Sequence, residues 1–149
     1  MVVWGGDNVE VNRCVERFVA RNVPGCERGF GRCVAMGVVR DDELVAGVVY
    51  HNWSPETQAI EISAAATDPK WLNKSILKQI FAYPFDQIGC QIVVARIAES
   101  NTRTRRIWKA IGSQEHVIPR LRGRNEAECI MVLTDDAWRD SGFCGENVQ

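Results

Sequence analysis

Apolar residues at Val11, Cys14, Val15, Phe18 and Val19 recur at i, i+3, i+4, i+7 and i+8, the spacing of one helix face. Asp7 followed by Glu10 resembles a capping box at its start, and Pro24-Gly25 ends it. The period then changes to two. Val34, Met36 and Val38 alternate up to Arg40-Asp41-Asp42-Glu43, and Leu44, Ala46, Val48 and Tyr50 alternate after it, which predicts an antiparallel hairpin. A strand over Ala59 to Ala66 puts Ile60, Ile62 and Ala64 on one face and Glu61, Ser63 and Ala65 on the other. Helical spacing returns at Ile76, Leu77, Ile80 and Phe81 and stops at Pro84. The unalternating run Ile92-Val93-Val94-Ala95 reads as a strand covered on both faces. Asn101 opens a third helix containing Ile107 and Ile111, with Gly112 as its C′ residue. Strands over about Gln114 to Leu121 and Cys129 to Thr134 close the pattern. The order β, α, β, β, β, α, β, α, β, β describes an α/β (α+β) sandwich, a mixed sheet with helices on both faces.

With 149 residues, 46% of them hydrophobic and 25% charged, the chain has the makings of one globular domain, 1–149, that buries roughly two thirds of its unfolded surface. No repeat or linker interrupts it, and a tail over 141–149 is free to fray. Met1 to Asp7 lacks the basic and apolar regions of a secretory signal. The longest charge-free run, Leu44 to Pro55, has 12 residues, short of the ~18 that span a bilayer. No membrane partner is expected. The six cysteines form no C-x-x-C pair and read as reduced, mostly buried thiols in a cytoplasm. Two histidines without ligand spacing give no metal site.

The net charge of −1 hides a split. Eight basic residues between Arg96 and Arg124 face only Glu99 and Glu115, a local balance of +6. Such a segment suits an anion, whether cofactor phosphates, an acidic substrate or nucleic acid; a solvated helix face and hairpin is the plain alternative.

Two helix starts follow strands directly, at Lys70 to Ser75 and at Ser100-Asn101, and free amides there suit phosphate. The stretch Thr67-Asp68-Pro69-Lys70-Trp71-Leu72-Asn73-Lys74-Ser75-Ile76-Leu77 sits where the GNAT superfamily of acyl-CoA-dependent N-acyltransferases has its pyrophosphate loop. The family's Q/R-x-x-G-x-G/A falls on Leu72 to Leu77, with all three defining positions altered. Asn101 to Gly112 resembles the second cofactor segment, N-x-x-A-x-x-L-Y-x-x-x-G, with Asn101, Ile107 and Gly112 in register. The order of elements from Val34 to Thr134 also fits, so the resemblance covers about two thirds of the chain, and it extends to small acetyltransferase-like proteins of phages.

This resemblance implies a GNAT-like, mostly antiparallel sheet of about six to seven strands and an N-acetyltransferase that moves acetyl from acetyl-CoA to a primary amine by direct attack in a ternary complex. It places the cofactor along Ala64, Ala65 and Ala66, with Asn73, Lys74 and Ser75 at the pyrophosphate and Asn101 and Arg105 nearby. Glu61 stands at the family's glutamate base, against a plain solvated strand position or structural ion pair. His51, after the strand ending at Tyr50, titrates near neutrality and is a second candidate base. The family's acidic tyrosine falls on Trp108, whose N–H is no physiological acid, so Tyr83 or water must protonate the thiolate. Asp68 is a candidate cap of the helix start. Arg120 and Arg122 lie on the last hairpin, on the acceptor side. The acceptor is a small-molecule or macromolecular amine, with nucleic acid admitted through Arg96 to Arg124, and a homodimer is an admitted assembly. Two other functions stay open: a phage-type DNA-modification protein acting on a nucleobase, and an inactive GNAT fold serving as a binding module.

Overall fold

The computed structural model describes residues 1–144. Seven strands form one sheet in the order β1-β2-β3-β4-β5-β7-β6. They are β1 (Val2–Trp4), β2 (Cys33–Arg40), β3 (Glu43–Ser54), β4 (Ala59–Ala66), β5 (Ile92–Ala98), β6 (Gln114–Ile118) and β7 (Glu128–Thr134). Among the described residues four α-helices accompany them: α1 (Val9–Asn22), α2 (Lys74–Ala82), α3 (Thr102–Ala110) and α4 (Asp135–Asp140). The pairs β1–β2, β2–β3, β5–β7 and β6–β7 are antiparallel. The described residues gather into two compact units, Met1–Trp53 with Glu61–Ile80, and Ser54–Ile60 with the chain from Phe81 onward.

In the first unit α1 packs on one face of β2 and β3. Val15, Phe18 and Val19 form a buried cluster with Ala35 and Val49. Close approach depends on Gly37 and Gly47, which are paired across the two strands. A Cβ on Gly47 would come within 2.7 Å of Val19 and 2.9 Å of Val15, closer than packed carbons tolerate. The opposite face holds Met36, Val48 and Tyr50, all buried, and Tyr50 donates its hydroxyl to the Ile80 carbonyl of α2 at 2.5 Å. Helices therefore cover both faces, as the alternation predicts.

Several local expectations are corrected. The helix cap is Asn8, whose side chain accepts from the amides of Glu10 and Val11; Asp7 lies one residue too early. Leu44 does not share a face with Ala46, Val48 and Tyr50. A bulge between Val38 and Val39 leaves Val45 extra, and Leu44 packs toward the α1 cluster instead. Asp41 and Asp42 both adopt positive φ in the tight turn before it, which aspartate, with its short polar side chain, tolerates better than most. Asn12 of α1 accepts from Ala35 N at 2.7 Å and donates to Cys33 O at 3.0 Å. It thereby extends the hydrogen bonding of β2 beyond the short β1.

The second unit packs β5, β7 and β6 against α3 and α4. Val93, Ala95, Ile97, Cys129, Met131 and Leu133 are buried. Burial in β5 alternates, and Arg96 is exposed, so this strand is not covered equally on both faces. A long side chain ending in charge reaches water from a position that the apolar run makes look internal. Phe81 stands edge-on to Trp108 at 5.4 Å and tilted against Trp138 at 4.9 Å. Trp138 belongs to α4, an element absent from the sequence reading. Strand β6 ends at Ile118 rather than Leu121, because Pro119 has no amide to offer and Arg120 turns into positive φ. At the start of the expected tail Ser141 Oγ donates to Trp138 O and accepts from Phe143 N; residues 145–149 lie outside the described residues. No described helix is long and apolar enough to cross a membrane.

Candidate active site

In the first unit, β3 and β4 bring together His51, Asn52, Glu61 and Ser63. The sequence reading places His51 in a loop beyond Tyr50, but β3 runs on to Ser54. His51 is consequently a buried strand residue, 7% exposed. Its Nε2 lies 2.9 Å from Ser63 Oγ and 3.9 Å from Glu61 Oε2. Glu61 keeps one fifth of its side chain exposed, and its Oε1 accepts from Asn52 Nδ2 at 2.9 Å. Strict alternation would turn His51 and Asn52 to opposite faces. Asn52 escapes by taking φ of 54°, a left-handed conformation that asparagine adopts more readily than most residues. The same twist lets neighbouring side chains both reach the Glu61 carboxylate.

The Phe30 ring covers the imidazole at 4.8 Å. Burial lowers the His51 pKa below 6.5, and the Glu61 charge opposes this only in part. At neutral pH the ring is neutral and able to accept a proton. Cys33 is the direct cross-strand partner of His51, a proximity that the sequence conceals. Burial and the Glu16 carboxylate raise its thiol to about 11. It stays protonated and is no nucleophile. Cys14 is exposed, contrary to the burial expected for the cysteines, whereas Cys90 and Cys129 are buried.

Beyond the carboxylate, Ala64 and Ala66 are exposed and Ala65 packs partly on the α1 cluster. Asn73 precedes α2 and accepts from Ile76 N at 2.8 Å, so it is the cap of that helix. Asp68 is not: its Oδ1 takes the Lys70 amide and its Oδ2 lies 3.4 Å from Arg40, bracing the loop before the helix. Lys74 and Ser75, both exposed, form the first turn of α2.

The second unit redirects the basic segment. Arg105 donates twice to Glu115, at 2.7 and 3.1 Å, and once to Glu99 O at 2.7 Å. Three of its five N–H donors are taken, so the phosphate contact expected of it would compete with Glu115 and the Glu99 carbonyl. Lys109 lies 3.2 Å from the same Glu115. Arg122 and Arg96 both pair with Glu128, a carboxylate only 3% exposed, at 2.8 and 2.5 Å. Arg122 is thus engaged by Glu128 and the Arg96 carbonyl, while Arg120 is exposed at positive φ. Four of the basic residues that suggest an anion surface, Arg96, Arg105, Lys109 and Arg122, are paired internally, sharing the two carboxylates Glu115 and Glu128. Asn101 caps α3 by accepting from Thr104 N. Tyr83 is half-buried at the head of a π-helical turn, Tyr83–Gln87, and burial raises its pKa.

No protein-family model matches the sequence, and no curated protein does either. Solved structures do match. A probable acetyltransferase superposes with a TM-score of 0.61 at 18% identity, covering 72% of this chain and 65% of that one. The fold is GNAT-like. Another acetyltransferase structure, described as putative in its name, gives a TM-score of 0.63 at 16% identity over 82% of this chain and 63% of its own. The spermidine/spermine N-acetyltransferase SpeG from Vibrio cholerae gives 0.64 at 12% identity, covering 74% and 69%. The chain spans just under two thirds of the length of the first two of these structures.

Proposed function

We propose that the chain is an acyl-CoA-dependent N-acetyltransferase acting on a primary amine. One observation carries the reading: a neutral imidazole and a partly exposed carboxylate meet on adjacent strands of a GNAT-like fold. Glu61 offers the negative charge that attracts an ammonium group. Proton removal frees the nitrogen lone pair, and the Glu61 carboxylate with its His51 neighbour is the acceptor. Asn52 and Ser63 hold the two bases in place. Acetyl-CoA, when bound, supplies the acyl group as a thioester. The residues present suit it at Lys74 and Ser75, whose first-turn amides and ammonium favour phosphate, and at the small Ala64 to Ala66 strand. Arg105 does not join them. Asn101 stays a candidate by register, and Tyr83 remains the proposed source of the thiolate's proton on the sequence argument, with water as its alternative. Arg120 is retained as an acceptor-side residue.

The acceptor class is tested with polyamines, because spermidine acetyltransferases are among the structural neighbours, together with simple primary amines and amino-terminal peptides. Release of free thiol from acetyl-CoA is the readout. Glu61→Gln is expected to lower kcat/KM by ~10²–10⁴-fold while the acetyl-CoA-induced rise in melting temperature is retained. Wild-type protein that shows no turnover with any amine and no such rise refutes the proposal. One neighbour is dodecameric, and a homo-oligomer is proposed here also, to be read by light scattering.

A second reading, a non-catalytic GNAT fold that binds its ligand, is favoured by Trp108. The residue at the family's tyrosine position is buried against Phe81 and has no hydroxyl to donate. Binding of acetyl-CoA with no thiol release would select it.

A further inference from the structure

The first unit contains a second concavity, lined mainly by α1 and away from the His51 cluster, that borders the resembled pyrophosphate stretch only at Thr67. Arg13, Arg17 and Arg21 stand at i, i+4 and i+8 along α1 and are all exposed. They line a cleft of about 670 Å³ with Glu10, Cys14, Phe18, Glu43, Leu44 and Thr67. This is within the size range of small-ligand sites. None of the three arginines has an ion-pair partner among the described residues, in contrast to Arg96, Arg105 and Arg122. Successive arginines are about 6 Å apart along the helix axis. Neighbouring guanidinium forks can therefore grip one phosphate or two linked ones.

We infer that this cleft is a binding site for a compact organic phosphate ester of nucleotide size carrying at least two phosphates. Its anionic end matches the arginine row, and the floor of Cys14, Phe18 and Leu44 gives an apolar body somewhere to lie. Glu10 comes one helical turn before the row, and Glu43 also lines the cleft. Neither carboxylate neutralises an arginine, and both repel a polyanion that continues past the cleft, which favours a short ligand over a nucleic-acid strand. Val45 O accepts from Thr67 N at 2.9 Å, so the cleft lies at the start of β3, six residues before His51. At strand rise this is about 20 Å from the catalytic candidate, while Thr67 of the cleft follows directly on Ala66 of the proposed cofactor strand, so independence from coenzyme A is the decisive readout.

Calorimetric titration of the full chain with ATP, in the presence and absence of saturating coenzyme A, tests the inference. Expected are saturable binding unaffected by coenzyme A, a loss of at least tenfold in affinity in Arg13→Gln/Arg17→Gln/Arg21→Gln, and two- to fivefold tighter binding in Glu43→Gln. All four side chains are exposed, so both variants should keep the wild-type melting curve, and the gain in Glu43→Gln cannot come from misfolding. Absence of heat at millimolar ATP, abolition by coenzyme A, or unchanged affinity in the triple variant overturns the site. Inorganic tripolyphosphate binding as tightly as ATP overturns the role of the apolar floor. Duplex DNA that binds tightly, depends on the three arginines and is not displaced by ATP overturns the compact ligand in favour of nucleic acid.

Discussion

Replacing Glu115 with glutamine tests whether the basic segment is bound up internally. Arg105 and Lys109 of α3 hold this carboxylate of β6 at 2.7 and 3.2 Å. Hydrogen bonding from Arg105 is the largest influence and lowers the carboxyl from 4.5 to about 2. Each tenfold change in ionisation is worth about 1.4 kcal/mol, so the linkage is capped at about 3 kcal/mol. Lys109 is half-exposed and water screens it, which leaves ~1.5 kcal/mol as the expected loss in Glu115→Gln at pH 7. The pH dependence carries the stronger test. A carboxyl depressed in the folded chain stabilises above its unfolded value of about 4.5 and loses that contribution as pH falls toward 2. The gap between wild type and variant should therefore be constant from pH 7 to 5.5 and shrink to less than half by pH 3. Urea denaturation followed by circular dichroism at each pH gives the difference directly. A gap that does not change between pH 7 and 3 would show that Glu115 stabilises by packing and refute the ion-pair account, and with it the reason why Arg105 is turned toward Glu115.

Gly47→Ala places a methyl group into Val15 and Val19 and is expected to cost ~1–3 kcal/mol by overpacking, visible as a drop of several degrees in thermal melting. An unchanged melting temperature would mean that α1 is not seated closely on the sheet. Asn12→Ala removes the partners of Ala35 N and Cys33 O; a loss of ~1–3 kcal/mol is expected, with faster hydrogen exchange at the Ala35 amide. For His51, NMR titration of the ring should give a midpoint below 6.5. Because its folded pKa is lowered, its contribution to stability is complete above 6.5 and is lost as pH falls through the folded value; a midpoint above 6.5 would contradict the burial argument. In Glu128→Gln, Arg96 and Arg122 lose their shared buried charge, and chemical denaturation should show a loss of ~3 kcal/mol. A loss below 0.5 kcal/mol would show that Glu128 does not anchor the pair.

The spacing of apolar residues determined the elements, because a helix face and a strand face differ in period whatever surrounds them. Val11 to Val19, Val34 to Tyr50 and Ala59 to Ala66 could be read that way, and the order of elements then limited the architecture to a helix-covered sheet. Glu61 was also legible, since a charged residue between Ile60 and Ile62 must face away from them. Its company was not. Whether Arg105 meets phosphate or Glu115, and Arg122 an acceptor or Glu128, depends on pairings ten or six residues away, which no local period encodes. Asn52 bonds to Glu61 only because its backbone is left-handed, and Cys33 meets His51 only through the register of β2 and β3. The α4 helix, six residues long, is too short to announce itself by periodicity. Its Trp138 is recognised as core only when Phe81 is seen against it. Local propensity is written in neighbouring residues, whereas burial, charge pairing and proton affinity are set by groups that folding brings together.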